Sequence, residues 1–183
     1  MPKGIVKSKE VLLITALCYA LFVFAAYQIN MLCFYLSPIA LGLFTLYSYT
    51  KRFTWLCHLV LGITCAGAPV GAWIAVTGGI DLIPIVLGAV VMLWVSGFDI
   101  VYGTQDIDFD RSVGLFSIPA KFGLSGALTI ARVFHLMMWF LLIVVGILGS
   151  LGAIYYIGVG ISALLLLIEH GIIDPGHRMK MNY

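Results

Sequence analysis

The chain has 183 residues, of which 62% are hydrophobic and only 10% are charged, with a formal net charge of +2. A soluble domain usually carries about 25% charged residues, so this composition cannot cover a water-facing surface and excludes a soluble globular protein. The small net charge also gives no reason to expect nucleic acid as a partner. We therefore expect a protein whose main surroundings are the lipid bilayer.

Six apolar runs, each near the roughly 20 residues that cross a hydrocarbon core, predict six transmembrane helices. They cover about residues 11–27, 31–47, 55–77, 82–101, 127–148 and 151–168. Only helical bundles and closed barrels span a bilayer, and runs of this length are helical. The sequence therefore predicts an all-α, polytopic membrane bundle that forms a single domain over residues 1–183.

Polar segments separate these runs. The first run follows a basic start, and the second, which contains Pro38, ends at a polar segment with Lys51 and Arg52. The third run closes at residues 78–81, the fourth leads into a long polar stretch at residues 99–123, and a polar tail follows the sixth. The two longest internal polar segments therefore emerge on the same side of a six-helix bundle.

Lysine and arginine follow the same division. All ten lie in segments that six spans place on one side of the membrane, or at its edge, whereas the loops at 28–30, 78–81 and 149–150 carry none. By the positive-inside rule the basic side is cytoplasmic. We therefore expect a multi-pass protein of the cell inner membrane, with both termini and the stretch at 99–123 on the cytoplasmic side.

That stretch concentrates negative charge beside the bilayer. It holds four of the eight acidic residues, namely Asp99, Asp106, Asp108 and Asp110. Charge is costly there, so such a cluster indicates a functional site. If the fourth helix continued past the membrane surface, Asp99, Tyr102, Asp106 and Asp110 would share one face. Carboxylates stacked in this way repel one another and favour a hard cation, and Mg2+ fits best because it binds one or two carboxylates together with water and phosphate.

A basic pair is expected on the same side of the membrane. Lys51 and Arg52 could form a cationic clamp for a diphosphate, although a basic pair at this position could equally be a topology anchor. A carboxylate stripe and a basic pair at the mouth of an apolar bundle suit a diphosphate with a long apolar tail. No two of the four histidines are spaced i, i+4, so we expect these to be buried polar or interfacial side chains: His58, His135, His170 and His177.

Two segments carry a family resemblance. Residues 102–110, YGTQDIDFD, followed by Gly114 and Ser117, resemble the second aspartate-rich motif, YxxxDxxxD, of UbiA-type intramembrane prenyltransferases. Residues 47–54, YSYTKRFT, are similar to the YPxxKRxT loop of that family. The likeness continues through GAPVGAWIAVTG at residues 67–78 to Glu169 and His170, and it is strongest to the 4-hydroxybenzoate polyprenyltransferases and their menaquinone-pathway relatives.

The resemblance implies a function and a set of roles. A polyprenyl diphosphate bound with Mg2+ would ionise to an allylic cation that alkylates an aromatic acceptor such as 4-hydroxybenzoate in quinone biosynthesis. The catalytic and metal-binding carboxylates would be Asp106 and Asp110. The diphosphate would be contacted by Lys51, Arg52 and Tyr102. Asp99 matches an acidic position of the family and is a possible accessory residue without an assigned role.

The chain also departs from the family pattern. Family members have two aspartate-rich motifs on nine helices, whereas this sequence has one motif and six helices, and Ser48 replaces the usual proline of the loop. We therefore expect part of the nine-helix fold, without the first motif, and an incomplete enzyme. The alternative from another class is a non-catalytic membrane protein or subunit that binds a metal or a lipid diphosphate.

Two further classes fit less well. A cation transporter would need carboxylates near the middle of the membrane, and here they lie at its edge. A CDP-alcohol phosphotransferase would need a DG pair and later aspartates, which this sequence lacks.

Overall fold

In a computed structural model, which describes residues 7–172, the chain folds into helices without a strand among those residues. The helices are α1 (Ser8–Ile29), α2 (Met31–Thr50), α3 (Cys57–Thr77), α4 (Leu82–Gly103), α5 (Ile107–Ser112), α6 (Ile118–Leu148) and α7 (Ala153–Ile172), with a 3-10 turn at Thr104–Asp106 between α4 and α5. Six helices, all except the short α5, are long and apolar enough to cross a membrane. The predicted all-α bundle with six membrane-crossing helices is confirmed. The predicted positions of the two termini concern residues outside the described range.

Helices that follow one another along the chain also pack together. α4 lies at the centre, against α3 on one side and α6 on the other, while α1 packs on α2 and α7 packs on α6. Two buried clusters join α4 to α6: Val90, Leu93, Met138 and Val145 in one, and Ile100, Ile118, Ala127 and Ala131 in the other. The up-and-down order brings the end of α2, the start of α3, the end of α4 and the start of α6 to one end of the bundle.

Helices α3 and α4 approach each other closely. A Cβ atom at Gly62 of α3 would overlap the Ser96 hydroxyl and the backbone carbonyl of Met92, both on α4. The Ser96 hydroxyl donates a hydrogen bond to the backbone carbonyl of His58, at 3.1 Å. Small residues allow helix backbones to approach in this way inside a bilayer, where no hydrophobic force drives helices together.

α4 does not continue through the acidic stretch, so the expected single face of four side chains does not form. The helix ends at Gly103, and the Thr104 hydroxyl donates to the carbonyl of Val101 at 2.7 Å as the chain tightens into the 3-10 turn. A 3-10 turn has 3.0 residues per turn rather than 3.6, so it rotates the following side chains relative to α4. As a result Asp106 is exposed, whereas Asp110 points inward and is buried.

α6 begins at Ile118, well before the apolar run predicted at 127–148. Ser117 caps it by accepting a hydrogen bond from the backbone N–H of Ala120 at 3.1 Å, and Pro119 lies in its first turn. Gly123, with a φ of 69°, then interrupts the helix. A left-handed φ favours glycine, so this residue provides the kink between a short polar-end segment and the long membrane part of α6.

Asn30 fixes the α1–α2 hairpin on α3. Its side-chain oxygen accepts from the backbone N–H of Cys33 at 2.8 Å, which caps α2, and its amide nitrogen donates to the carbonyl of Ile74 at 2.9 Å. We expect Asn30→Ala to lower the free energy of unfolding by about 1–2 kcal/mol, because it removes the cap and the tie together. Asn30→Ser should lose less, since serine retains the cap. Thermal unfolding in detergent measures both, and equal losses would contradict a contribution from the cap.

Candidate functional site

A polar cavity of about 270 Å³ opens at the end of the bundle where the two longest internal polar segments meet. Its wall comes from α2, α3, α4 and the 3-10 turn, and it consists of Tyr47, Ser48, Lys51, Cys57, His58, Asp99, Tyr102, Gly103 and Asp106. A larger groove, of about 560 Å³, lies between α1 and α2 and has an almost wholly apolar lining without a charged side chain. The charged groups therefore make the smaller cavity the candidate site.

An ion pair joins the two predicted segments beside this cavity. The Lys51 ammonium lies 3.2 and 3.4 Å from the two carboxylate oxygens of Asp110. The Asp110 side chain is 1% exposed and that of Lys51 is 37% exposed. The backbone N–H of Phe116 also donates to the carbonyl of Lys51, at 2.7 Å. The chain thus holds residue 51 against the segment at 107–117 through both backbone and side chain.

The ion pair with Asp110 stabilises the protonated form of Lys51. Burial disfavours the ammonium, but the hydrogen bond to Asp110 and the negative charge of that carboxylate outweigh burial and raise the pKa of Lys51 above its ordinary value of 10.5. Lys51 is therefore a cation at every physiological pH, positioned at the wall of the cavity.

A second pair lies deeper, between α3 and α4. His58 Nδ1 is 2.7 Å from Asp99 Oδ2, with the imidazole side chain 1% exposed and the carboxylate side chain 26% exposed. The ring packs on Gly103, where a Cβ atom would lie 3.1 Å from His58 Cε1. The buried imidazole therefore holds Asp99 in one orientation, with part of the carboxylate open to the cavity.

The structure brings most of the sequence-predicted site residues to this cavity. Its wall includes four of them: Lys51, Asp99, Tyr102 and Asp106. Asp110 lies behind Lys51 and does not line the cavity. Arg52 is exposed and also lies outside the lining, with its guanidinium carbon 5.3 Å from the ring centroid of Tyr49. The predicted metal or diphosphate roles of Lys51, Arg52, Tyr102, Asp106 and Asp110, and the accessory position of Asp99, stay predictions.

Sequence reasoning missed several residues of the wall. His58 was expected only as a buried polar or interfacial side chain, and its pairing with Asp99, 41 residues away, has no signature in the spacing. Tyr47 could have been found, because it lies four residues, about one helical turn, before Lys51. His177, also expected to be polar and buried or interfacial, lies outside the described residues.

The donor groups of the cavity suit a hard divalent cation that is shared with a phosphate ligand. Within residues 7–172, the aspartates do not form a cluster of three side chains with donor atoms within 4.8 Å of one another. Asp106 is exposed, and Asp99 is partly open while it is held by His58. Mg2+ is commonly bound through one or two carboxylates, with water and substrate phosphate at its remaining positions. The residues present fit that mode rather than an all-protein cage.

Comparison with known proteins gives several relatives that share one name. The chain is 31% identical over 178 residues to a 4-hydroxybenzoate octaprenyltransferase of Providencia stuartii, an alignment that covers 97% of this chain and 62% of that protein. It is also 31% identical over 184 residues to a 4-hydroxybenzoate octaprenyltransferase of Vibrio cholerae serotype O1, covering 98% of this chain and 63% of that protein. The chain therefore spans about three fifths of the length of these curated relatives.

A solved structure shares the fold. The apo structure of a UbiA homolog from Aeropyrum pernix K1 superposes with a TM-score of 0.84 and 33% sequence identity, covering 92% of this chain and 64% of that chain. The model of the UbiA prenyltransferase family matches residues 1–182. These matches confirm the resemblance to the family, and we conclude that the chain belongs to the UbiA prenyltransferase family.

Proposed function

We propose that the cavity binds the diphosphate of a polyprenyl diphosphate, and that the chain serves the transfer of the polyprenyl group to an aromatic ring such as 4-hydroxybenzoate in quinone biosynthesis. The observation that carries the proposal is the meeting of a charged ammonium, Lys51, and an exposed carboxylate, Asp106, in one cavity at the polar end of an apolar bundle. An anionic head with a long apolar tail fits these surroundings. The names of the relatives support the acceptor class and the prenyl donor.

A divalent cation completes this proposal, and Mg2+ is the ion that the donor set favours. Asp106 would hold it, with Asp99 as a second oxygen ligand. Asp110, the other metal ligand predicted from the sequence, would join them only if Lys51 turned away from it. A bound cation would neutralise the negative charge that develops on the diphosphate as it leaves.

The chain's own residues would bind and orient the substrate. The Lys51 ammonium would donate charge-assisted hydrogen bonds to diphosphate oxygens, which are shorter and stronger than those between neutral groups. Tyr47 and Tyr102 have hydroxyl groups at the same wall, and the apolar helices below would accept the polyprenyl tail. Arg52, outside the wall, would contribute long-range attraction for the anion. We place the cavity and both termini on the cytoplasmic side of the inner membrane, in accord with the distribution of lysine and arginine.

A second candidate function is diphosphate or metal binding without catalysis, as a membrane protein or a subunit. The separation of the aspartates favours it, because among residues 7–172 they do not converge as a group of three. Binding and turnover must therefore be measured separately.

The test uses the purified chain in detergent with Mg2+, a radiolabelled polyprenyl diphosphate and 4-hydroxybenzoate. We expect Asp106→Ala to weaken Mg2+-dependent diphosphate binding by about 10–100-fold, the equivalent of one or two charge-assisted contacts. Asp108→Ala is the matched control, because Asp108 is also exposed, two residues away, but lies outside the cavity lining.

The outcomes separate the two candidates. Prenylated product that disappears in Asp106→Ala supports the transferase. Mg2+-dependent binding without product supports the binding protein. Binding that is equal in Asp106→Ala and Asp108→Ala, or that is absent from the wild type, overturns the assignment of the cavity.

A further inference from the structure

A second polar cluster lies between α6 and α7, away from the cavity. It consists of His135, Glu169 and His170, whose donor atoms all lie within 4.8 Å of one another. His135 Nδ1 is 2.9 Å from His170 Nε2, and the His135 residue is 1% exposed. None of the three lines the cavity. The cluster is therefore separate from the candidate diphosphate site.

Within the part of the chain that the structure describes, this cluster has polar atoms without a hydrogen-bond partner. Two neutral imidazoles that share one N–H···N bond each retain a second ring nitrogen, and among residues 7–172 those atoms, His135 Nε2 and His170 Nδ1, are buried without a hydrogen-bond partner. Glu169 takes part in no ion pair among residues 7–172. A carboxylate and two imidazoles on membrane-crossing helices are costly, so their presence together is a reason to look for a bound ligand.

The donor set matches a transition metal rather than a hard cation. Two imidazole nitrogens and one carboxylate oxygen are zinc ligands, with a fourth position left for water. The facing nitrogens, His135 Nδ1 and His170 Nε2, are 2.9 Å apart, whereas two nitrogens that are each about 2.0–2.1 Å from one tetrahedral ion lie roughly 3.3 Å apart. The two rings would therefore separate by a few tenths of an ångström and turn so that both lone pairs point at the ion, and the second ring nitrogens would carry the imidazole protons. We propose that His135, Glu169 and His170 bind a first-row transition-metal ion, with Zn2+ as the expected occupant.

Such an ion would tie α6 to α7. Among the described residues, α7 is held to α6 by two other side-chain hydrogen bonds, from Trp139 Nε1 to the carbonyl of Val159 at 2.9 Å and from the Tyr155 hydroxyl to the carbonyl of Leu142 at 2.8 Å. The His135 ring also occupies the space that a side chain at Gly97 of α4 would fill. The metal would thus join α7 to α6 with one of its ligands packed on α4, the helix that carries Asp99.

The test uses the full chain in detergent, stripped with a chelator and titrated with Co2+, whose visible d–d absorption reports nitrogen ligands and geometry. We expect about one ion per chain in a four-coordinate spectrum. Zn2+ at about a hundred times its Kd should displace Co2+ and raise the Tm by roughly 5–10 °C. Glu169→Gln and His170→Gln should each lose the spectrum and the metal-dependent rise in Tm. Both residues are only partly buried, so we expect these variants to fold without the metal. Circular dichroism checks that their helix content is unchanged.

Two controls locate the ion. Asp106→Ala should keep the Co2+ spectrum, because that residue belongs to the cavity, and His177→Ala should keep it because the proposal does not include that histidine. A spectrum that survives in His170→Gln, or a wild-type Tm that does not respond to Zn2+, overturns the proposal. A negative result for the transition-metal site does not affect the proposed diphosphate site, because diphosphate binding is measured separately with Mg2+.

Discussion

Replacing Lys51 with methionine is expected to lower the free energy of unfolding by about 2–4 kcal/mol. The substitution keeps most of the side-chain volume but leaves the Asp110 carboxylate, 1% exposed, without its cation. Removing one partner of a fully buried pair costs about 3–5 kcal/mol, and the 37% exposure of Lys51 reduces that figure because water screens the pair. Thermal unfolding in detergent should show a Tm lower by roughly 5–15 °C.

A double-mutant cycle tests whether the unpaired Asp110 carboxylate causes the destabilisation by Lys51→Met. Asp110→Asn removes the buried charge, so adding it to Lys51→Met should restore part of the lost stability rather than deepen the loss. Arg52→Met is the matched control, since Arg52 is the adjacent cation but is exposed and outside the cavity lining. Equal destabilisation by Lys51→Met and Arg52→Met would contradict the structural role of the pair.

The Lys51–Asp110 pair also predicts how the stability of the protein changes with pH. The pKa of Lys51 is raised above 10.5 in the folded chain, where the hydrogen bond to Asp110 and its charge outweigh the opposing effect of burial. The stability that this shift contributes is therefore fully present below about pH 10.5 and is lost as the pH rises through the folded-state pKa. The Tm difference between wild type and Lys51→Met should be constant from pH 7 to 9 and shrink at more alkaline pH. A difference that shrinks between pH 7 and 9 would contradict it.

Gly62→Ala is expected to cost about 2–3 kcal/mol or more, although it adds only one methyl group. The new Cβ would overlap the Ser96 hydroxyl and the Met92 carbonyl, and the carbonyl belongs to the backbone of α4, so α3 and α4 must move apart. Gly62 lies one helical turn after His58, and Ser96 lies three residues before Asp99. We therefore expect weaker diphosphate binding together with the lower Tm.

Gly67 provides the matched control on the same helix. A Cβ atom there meets nothing within 4 Å, so Gly67→Ala should be neutral or stabilising by about 0.5–1 kcal/mol through the better helix propensity of alanine. Thermal unfolding and diphosphate binding are measured for both variants. If Gly62→Ala is as stable as Gly67→Ala, the close approach of α3 and α4 is not a determinant of the fold.

The helices could be predicted because the bilayer restricts the choices. An apolar run of about 20 residues has few alternatives to a membrane-crossing helix, and six such helices are present. The start of α6 was missed because hydropathy marks only apolar residues, whereas residues 118–126 include Lys121 and Ser125. The capping Ser117 followed by Pro119 was an available signal. The end of α4 lies where Gly103 packs on His58, a residue far away in the sequence, and no local pattern contains that contact.

The site could be predicted only in part, for a related reason. The number of predicted spans was enough to predict that the two polar segments lie at the same end of the bundle. The partners themselves are far apart along the chain: Lys51 and Asp110 are separated by 59 residues, and His135 and His170 by 35. Such pairs depend on how α2, α3, α4, α6 and α7 pack, and that information is absent from spacing.

The Lys51–Asp110 pair has a further consequence for binding, through preorganisation. A lysine side chain loses up to about 2 kcal/mol of rotamer freedom when it is fixed in one geometry, and a flexible lysine would lose it at the moment of binding. Asp110 already restrains this side chain in the folded protein, and an ammonium has three N–H donors, so a donor remains for an incoming anion. The carboxylate can therefore strengthen affinity for an anionic ligand that it never touches, because the ordering cost has been met during folding.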